Sequence, residues 1–198
     1  MTTQSNEAPS ATVQKDWANA TPAGLVALAV VCAGFFALLS GRVDHSATPL
    51  LGCWLIGGFV AQFIVAIIDL KSRSLTGGNT FLYFTCFFML ATGLEMFVKF
   101  NADTPLDARL DGYAWGVLAI VTWLWTPAFF TKFSLLSIVV LLLDIALPIL
   151  ALTDLKILGP EYSPIAAWAL LGDSLVALYL ASGMIVNSAF GKKVYPMP

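Results

Sequence analysis

The chain has 198 residues, of which 59% are apolar and only 11% are charged. Soluble domains carry about 25% charged residues, so a water-soluble fold could not cover this much apolar surface, whereas a lipid bilayer could. The net charge of −2 and the absence of a basic face argue against nucleic-acid binding. His45 is the only histidine and the three cysteines have no CxxC spacing, so we expect neither a metal site nor a cofactor.

Residues 1–18 are polar and lack the apolar run of a signal peptide, which predicts a flexible cytoplasmic tail. Residues 19–198 then form one predicted domain of six apolar runs, each close to the ~20 residues that span a bilayer. The predicted helices cover about 22–40, 49–70, 79–98, 112–131, 133–153 and 164–188.

The distribution of Lys and Arg predicts an orientation with both termini in the cytoplasm. That orientation places six basic residues inside, namely Lys15, Lys71, Arg73, Lys132, Lys192 and Lys193. Four basic residues, Arg42, Lys99, Arg109 and Lys156, then lie outside. We therefore expect a multi-pass protein of a bacterial inner (plasma) membrane.

Several short segments resemble the acetate uptake transporter family (GPR1/FUN34/YaaH). Residues 19–25 read NATPAGL, similar to the family's NPAPLGL signature, although only one of its two prolines, Pro22, is present. The other matching segments are GGFVAQ at 57–62, GNTF at 78–81, and YLASG at 179–183 followed by Asn187, Phe190-Gly191 and Pro196.

The resemblance implies six helices around a narrow pore within each protomer, a homohexamer, and passage of acetate or a related small carboxylate such as succinate. Family members act as proton-coupled symporters or as channels, and the sequence leaves this choice open. Carried over residue by residue, the substrate path would include Asn19, Pro22, Gly24, Leu25, Gln62, Asn79, Thr80 and Asn187.

The resemblance also places an apolar constriction at Leu28, Met89 and Leu143, where the family uses aromatic residues at the first two positions. Phe84 and Phe88 share a helix face by their spacing, so either ring could narrow the pore. Most other aromatic residues, including Trp115, are expected to anchor helices at the interface or to pack between them.

Two motifs admit a functional and a structural interpretation. The helix that opens with Pro22 and Gly24 exposes free N–H groups, which attract anions, but an ordinary helix start has the same groups. Gln62 lies among apolar neighbours, where its amide could bind a carboxylate or join two helices.

Asp144 and Asp173 are predicted to lie roughly 13 Å deep, at 1.5 Å per residue, on adjacent antiparallel helices. A lone charge at that depth costs at least ~2.5 kcal/mol, so we consider the pair as proton-coupling candidates that could share one proton. The alternative is that each acid only joins helices. At the outer end of the third helix, Glu95 and Lys99 have the spacing of an ion pair.

The leading hypothesis is transport of small monocarboxylates such as acetate. Two alternatives remain open: a channel for neutral solutes (undissociated acid, urea or ammonia), and a membrane subunit that transports nothing. An enzyme is not expected, because the sequence contains no HExxH motif, no nucleophile with a nearby base and no cofactor motif.

Overall fold

The computed structural model describes residues 17–197, which form six long helices joined by short connections. The predicted tail lies outside the described residues except for Trp17 and Ala18. The helices are α1 (Thr21–Leu39), α2 (Thr48–Lys71), α3 (Leu75–Phe100), α4 (Arg109–Phe129), α5 (Leu135–Asp154) and α6 (Ser163–Phe190).

Five of these helices are long and apolar enough to cross a membrane. The exception is α4, whose tryptophans, Tyr113 and Pro127 lower its mean hydropathy. Its 21 residues nevertheless span about 30 Å at 1.5 Å per residue, which matches the hydrocarbon core. The prediction of an all-α, multi-pass membrane protein is confirmed.

Local sequence explains where the helices begin and end. Pro22, Pro49 and Pro164 lie in the first turn of α1, α2 and α6, where a missing N–H group leaves no hydrogen bond unmade. Gly191 ends α6 with a left-handed φ of 60°, a conformation that glycine adopts without steric cost.

The middle of α3, Phe84–Ala91, is a π-helix between two α-helical segments. The Thr92 hydroxyl donates to the Phe87 carbonyl, five residues earlier, at 3.2 Å. The wider turn shifts the register of every later side chain on α3. A prediction from α-helical spacing therefore fails only where it relates side chains before this segment to side chains after it.

The helices form a ring in the order α1, α2, α3, α4, α5, α6. Side chains close the ring between α3 and α4, where the Tyr83 and Thr122 hydroxyls lie 3.0 Å apart and the Phe88 and Trp115 ring centroids lie 5.7 Å apart. Between α1 and α6, Ser174 Oγ donates to the Ala29 carbonyl at 2.7 Å. The apolar core lies inside this ring.

Two glycines of α4 provide a matched test of the packing. A Cβ atom on Gly112 would lie 2.7 Å from the Leu155 backbone nitrogen and 2.9 Å from the Ala151 carbonyl oxygen, whereas one on Gly116 would meet nothing within 4 Å. We expect Gly112→Ala to destabilise the protein by about 1–3 kcal/mol through overpacking. Gly116→Ala should be neutral or stabilising, because alanine favours a helix over glycine.

Thermal unfolding of the two variants in the same detergent checks this expectation. Equal melting temperatures for the two variants would contradict the close contact between α4 and the end of α5.

Candidate functional site

A cavity of about 50 Å³ lies inside the helix ring. Its walls come from α1 to α5 and occupy the half of the bundle where α1 begins. The lining residues are Leu25, Leu28, Gln62, Gly77, Thr80, Phe81, Tyr83, Phe84, Thr122, Trp125, Phe129, Leu136, Val139, Val140 and Leu143. None of these side chains is charged at neutral pH, and most of them are aliphatic or aromatic. The cavity is therefore an apolar space with a few polar atoms.

Gln62 supplies the most buried polar group of the cavity wall. Its side chain is 1% exposed, and its Nε2 donates to the Gly24 carbonyl of α1 at 3.0 Å. Its Oε1 is buried without a hydrogen-bond partner. Gln62 therefore joins α2 to α1 and also leaves one acceptor available, so both interpretations of the sequence describe part of its role.

Three hydroxyl groups also border the cavity. The Tyr83 and Thr122 hydroxyls lie 3.0 Å apart, and Thr122 Oγ1 is also 2.8 Å from the Leu118 carbonyl, to which it donates. The Thr80 Oγ1 is buried and has no partner. The buried polar atoms of the lining without a hydrogen-bond partner are thus Gln62 Oε1 and Thr80 Oγ1. Buried polar groups are usually hydrogen-bonded, so each of these two atoms calls for an explanation.

An apolar and aromatic barrier closes the cavity toward the opposite end of the bundle. Leu28, Phe84 and Leu143 line the cavity itself. Beyond them the buried Phe88 ring contacts Phe84 at 5.4 Å and Phe35 at 5.5 Å between ring centroids. Sequence reasoning did not identify Phe35.

Trp115 belongs to the same aromatic cluster, with its ring 5.7 Å from Phe88 and 6% of its surface exposed. It packs in the interior and not at the membrane interface. Met89, predicted at the constriction, is fully buried but lies against α2, where a Cβ on Gly58 would come 2.9 Å from its sulfur. Met89 belongs to the π-helical segment of α3.

The residues at the start of α1 lie around the cavity without lining it, apart from Leu25. Asn19 Oδ1 accepts from the Thr21 N–H at 2.9 Å and so caps the helix start, and Pro22 is buried in the first turn. A Cβ on Gly24 would lie 2.6 Å from the Phe81 ring. Gly24 therefore lets this ring pack closely against α1.

Asn79, predicted on the substrate path, does not line the cavity. Asn79 Nδ2 donates to the Leu75 carbonyl of its own helix at 2.8 Å, and Asn79 borders a separate outer groove beside Leu124 and Trp125.

Asn187 holds the C-terminal segment against α6. Its Oδ1 accepts from the Val194 and Tyr195 N–H groups at 2.7 and 2.8 Å, and its Nδ2 donates to the Tyr195 carbonyl at 2.9 Å. The Tyr179 hydroxyl donates to the Pro196 carbonyl at 2.8 Å. The YLASG and Asn187 segments thus have a structural role as the anchor of the C-terminal segment.

The two membrane acids contact different helices, and neither lines the cavity. Asp144 Oδ2 accepts from Thr126 Oγ1 of α4 at 2.6 Å, while its Oδ1 is buried without a partner. Asp173 is fully buried beside the Cys32 thiol of α1, and both of its carboxyl oxygens lack a hydrogen-bond partner. A shared proton between the two carboxyls gains no support from these contacts.

Charged groups gather at the opposite end of the bundle. Lys99 Nζ lies 2.8 Å from Glu95 Oε1, which confirms the predicted ion pair, and it also contacts the Asp111 carboxylate of α4. In the loop before α4, hydrogen bonds from Arg109 lower the pKa of Asp107 to about 2. Any stability from that pair is present above pH 4 and is lost as the pH falls through about 2.

Within residues 17–197, no cluster of three His, Cys, Asp or Glu side chains is placed to hold a metal ion. No protein-family model matches the chain, and no curated protein matches it. Among solved structures, the chain is similar to one described as the structure of the bacterial acetate channel SatP. The TM-score is 0.81 at 20% sequence identity, and the alignment covers 92% of this chain and 99% of that chain. The two proteins therefore share a fold.

Proposed function

We propose that this chain transports acetate and similar small monocarboxylates across a membrane, as a member of the acetate uptake transporter family. The observation that carries the proposal is the central cavity, which is apolar and has two free polar atoms, Gln62 Oε1 and Thr80 Oγ1. The fold shared with a bacterial acetate channel supports it. So do the family segments, which run from Asn19 to Pro196.

The size of the cavity favours a monocarboxylate over a dicarboxylate. About 10–15 Å³ of such space holds one water molecule, so the 50 Å³ cavity has room for roughly three to five atoms of that size. Acetate matches that number, and succinate is roughly twice as large. Acetate and its nearest homologues are therefore the proposed substrates, with succinate a poorer one.

The aromatic barrier favours a gated passage. A solute that reaches the cavity next meets the packed Phe84, Phe88 and Phe35 rings, so passage requires at least one ring to change its rotamer. A channel whose gate opens in this way and a carrier that alternates between two states both fit this description. The rate of uptake at saturating substrate distinguishes them.

The proposal includes an assembly and an orientation. The family resemblance implies a homohexamer with one path in each protomer, placed in the inner membrane with both termini in the cytoplasm. Native mass spectrometry of the detergent-solubilised protein tests the stoichiometry. Protease accessibility of the C-terminal segment in right-side-out and inverted vesicles tests the orientation.

Uptake of labelled acetate by proteoliposomes that contain the purified chain tests the function. We expect uptake above that of protein-free vesicles, with competition by unlabelled propionate and little competition by succinate. A pH gradient should alter the rate. Acetate uptake equal to that of protein-free vesicles, at every gradient tried, would remove the proposal.

Proton coupling through Asp144 and Asp173 is a separate question about the same transport. The hydrogen bond between Asp144 and Thr126 favours a role in joining helices, and Asp173 lies beside Cys32 away from the cavity lining. We therefore expect Asp144→Asn and Asp173→Asn, singly and together, to leave the pH profile of acetate uptake unchanged. The profile is measured in proteoliposomes between pH 5 and 8, and a flattened profile in either variant would establish the coupling role instead.

A further inference from the structure

We propose that the cavity accepts its solute as the uncharged acid and not as the anion. This inference rests on the proposed function and names the chemical form of the substrate at the same site. It follows from the direction in which the free polar atoms of the cavity can hydrogen-bond, and from the lack of a cation among its lining residues.

The orientation of the Gln62 amide is fixed by its neighbour. The Gly24 carbonyl is an acceptor, so the group that faces it at 3.0 Å must be the Nε2 donor. The amide oxygen is consequently the free atom, and it is buried without a partner in a side chain that is 1% exposed. Gln62 therefore presents an acceptor to the cavity, which requires a donor from the solute.

Thr80 complements this acceptor. Its hydroxyl can donate or accept, it is buried without a partner, and it lines the same cavity. The Tyr83 and Thr122 hydroxyls are 3.0 Å apart and already paired. The two free groups thus match a molecule with one O–H or N–H donor and one carbonyl acceptor.

A carboxylic acid has this pattern, and a carboxylate does not. The acid donates its O–H to Gln62 Oε1 and accepts the Thr80 hydroxyl hydrogen at its carbonyl oxygen. A carboxylate has acceptors only, so it would oppose the Gln62 oxygen and leave that atom unsatisfied. The desolvation of a charge in an apolar space is a further penalty that the neutral acid avoids.

The cavity wall also offers no cation that would offset the charge of an anion. No Lys, Arg or His is among the lining residues, and the Asp69 carboxyl lies beside the lining residue Gly77, with its Oδ2 2.9 Å from the position of a Cβ on that glycine. The N–H groups of Thr21 and Ala23 at the start of α1 are already paired. Cys32, Asp144 and Asp173 lie between helices away from the lining, and Glu95, Lys99, Asp111 and Asp154 lie at the opposite end. Basic residues at the cavity's own end, among them Lys71, Arg73 and Lys132, belong to the helix end and loops there and do not line the cavity.

Acetamide is the probe that separates the two forms, because it has the shape of acetic acid, the same donor and acceptor pattern, and no charge at any pH in the test. Proteoliposomes of the full chain are loaded with potassium and valinomycin, so that the membrane potential is set by the external potassium concentration. Uptake of labelled acetamide and labelled acetate is measured in parallel, and the protein-free rate is subtracted from each.

We expect protein-dependent acetamide uptake that does not change with membrane potential. We also expect protein-dependent acetate uptake to fall about tenfold per pH unit above the pKa of the acid, as the undissociated fraction does. Acetate uptake that varies with the potential, together with exclusion of acetamide, would overturn this inference and leave the proposed function standing. Absence of uptake of both solutes would remove the proposed function itself.

A pair of threonines on α3 tests the role of the free hydroxyl. Thr80→Val removes the unpaired hydroxyl of the cavity, and we expect acetamide and acetate uptake to fall about three- to tenfold, the effect of one lost hydrogen bond. Thr85→Val is the control, because it makes the same change of shape at a residue that does not line the cavity. The Thr85 hydroxyl donates to the Phe59 carbonyl at 2.8 Å. Thr85→Val should keep the wild-type rate.

Both threonine variants are first compared with the wild type by thermal unfolding, so that only folded protein is assayed. Equal acetamide uptake by folded Thr80→Val and wild-type protein would contradict the proposed hydrogen bond to the solute. A fall of the same size in Thr85→Val would show that the effect does not depend on the cavity, and would also overturn the inference.

Discussion

Replacing Leu143 with tryptophan should reduce acetate uptake to the rate of protein-free vesicles. Leu143 is 2% exposed and lines the cavity, as does Leu28. An indole at this position adds a volume comparable to the 50 Å³ that is free, so the ring would fill the space that the solute needs. Overpacking costs about 1–3 kcal/mol, which we expect the six-helix bundle to tolerate.

Leu141→Trp is the matched control on the same helix. Leu141 is 41% exposed and faces outward from the bundle, so the same substitution there should leave uptake unchanged. The measurement is initial uptake of labelled acetate by proteoliposomes with equal amounts of monodisperse protein. Wild-type uptake by a folded Leu143→Trp variant would mean that the solute takes another route.

Gln62→Leu should lower acetate uptake about five- to tenfold without lowering the stability of the fold. The substitution removes the free acceptor of the cavity, and one hydrogen bond to a solute is worth about 0.5–1.5 kcal/mol. It also removes the buried oxygen that has no partner and the hydrogen bond from Nε2 to the Gly24 carbonyl. Relief of the desolvation cost of the free oxygen, about 1–3 kcal/mol, offsets the loss of that hydrogen bond, about 0.5–1.5 kcal/mol. If Gln62 binds the solute, acetate uptake therefore falls while the melting temperature does not.

Thermal unfolding and acetate uptake of the same Gln62→Leu preparation check this split. If the hydrogen bond from Gln62 to Gly24 were the only role of the side chain, the melting temperature would fall and the uptake of folded protein would persist. That result would assign Gln62 to helix packing alone.

The helices could be predicted from the sequence because their signals are local. Apolar runs of bilayer length, with Pro22, Pro49 and Pro164 at their starts, require no knowledge of the tertiary structure. The same holds for the ion pair between Glu95 and Lys99, since residues four apart on a helix face each other.

The cavity was only partly predictable because its lining depends on how five helices meet. Resemblance to a family pointed to Gln62 and Thr80, which line the cavity, and equally to Asn187, which hydrogen-bonds the C-terminal segment. Apart from the resemblance, nothing in the sequence indicates whether a polar side chain in an apolar run faces the cavity or a neighbouring helix. Only the structure shows that the Gln62 amide nitrogen donates to the Gly24 carbonyl, and that the amide oxygen is therefore the free atom.

The aromatic barrier was missed in part for a different reason. Spacing correctly paired Phe84 with Phe88, whose rings lie 5.4 Å apart. The contacts of Phe88 with Phe35 and Trp115 join residues that are far apart in sequence. The π-helical segment that contains Met89 has no clear sequence signature in an apolar run.

A cysteine placed in the cavity tests most directly whether the solute passes through the interior of the helix ring. Val140 lines the cavity and is 3% exposed. Val140→Cys is made in a chain whose Cys32, Cys53 and Cys86 are replaced by alanine, reconstituted, and treated with a small neutral methanethiosulfonate. The account predicts that acetate slows the modification and that complete modification stops acetate uptake. Wild-type uptake after complete modification, as judged by mass spectrometry, would contradict it.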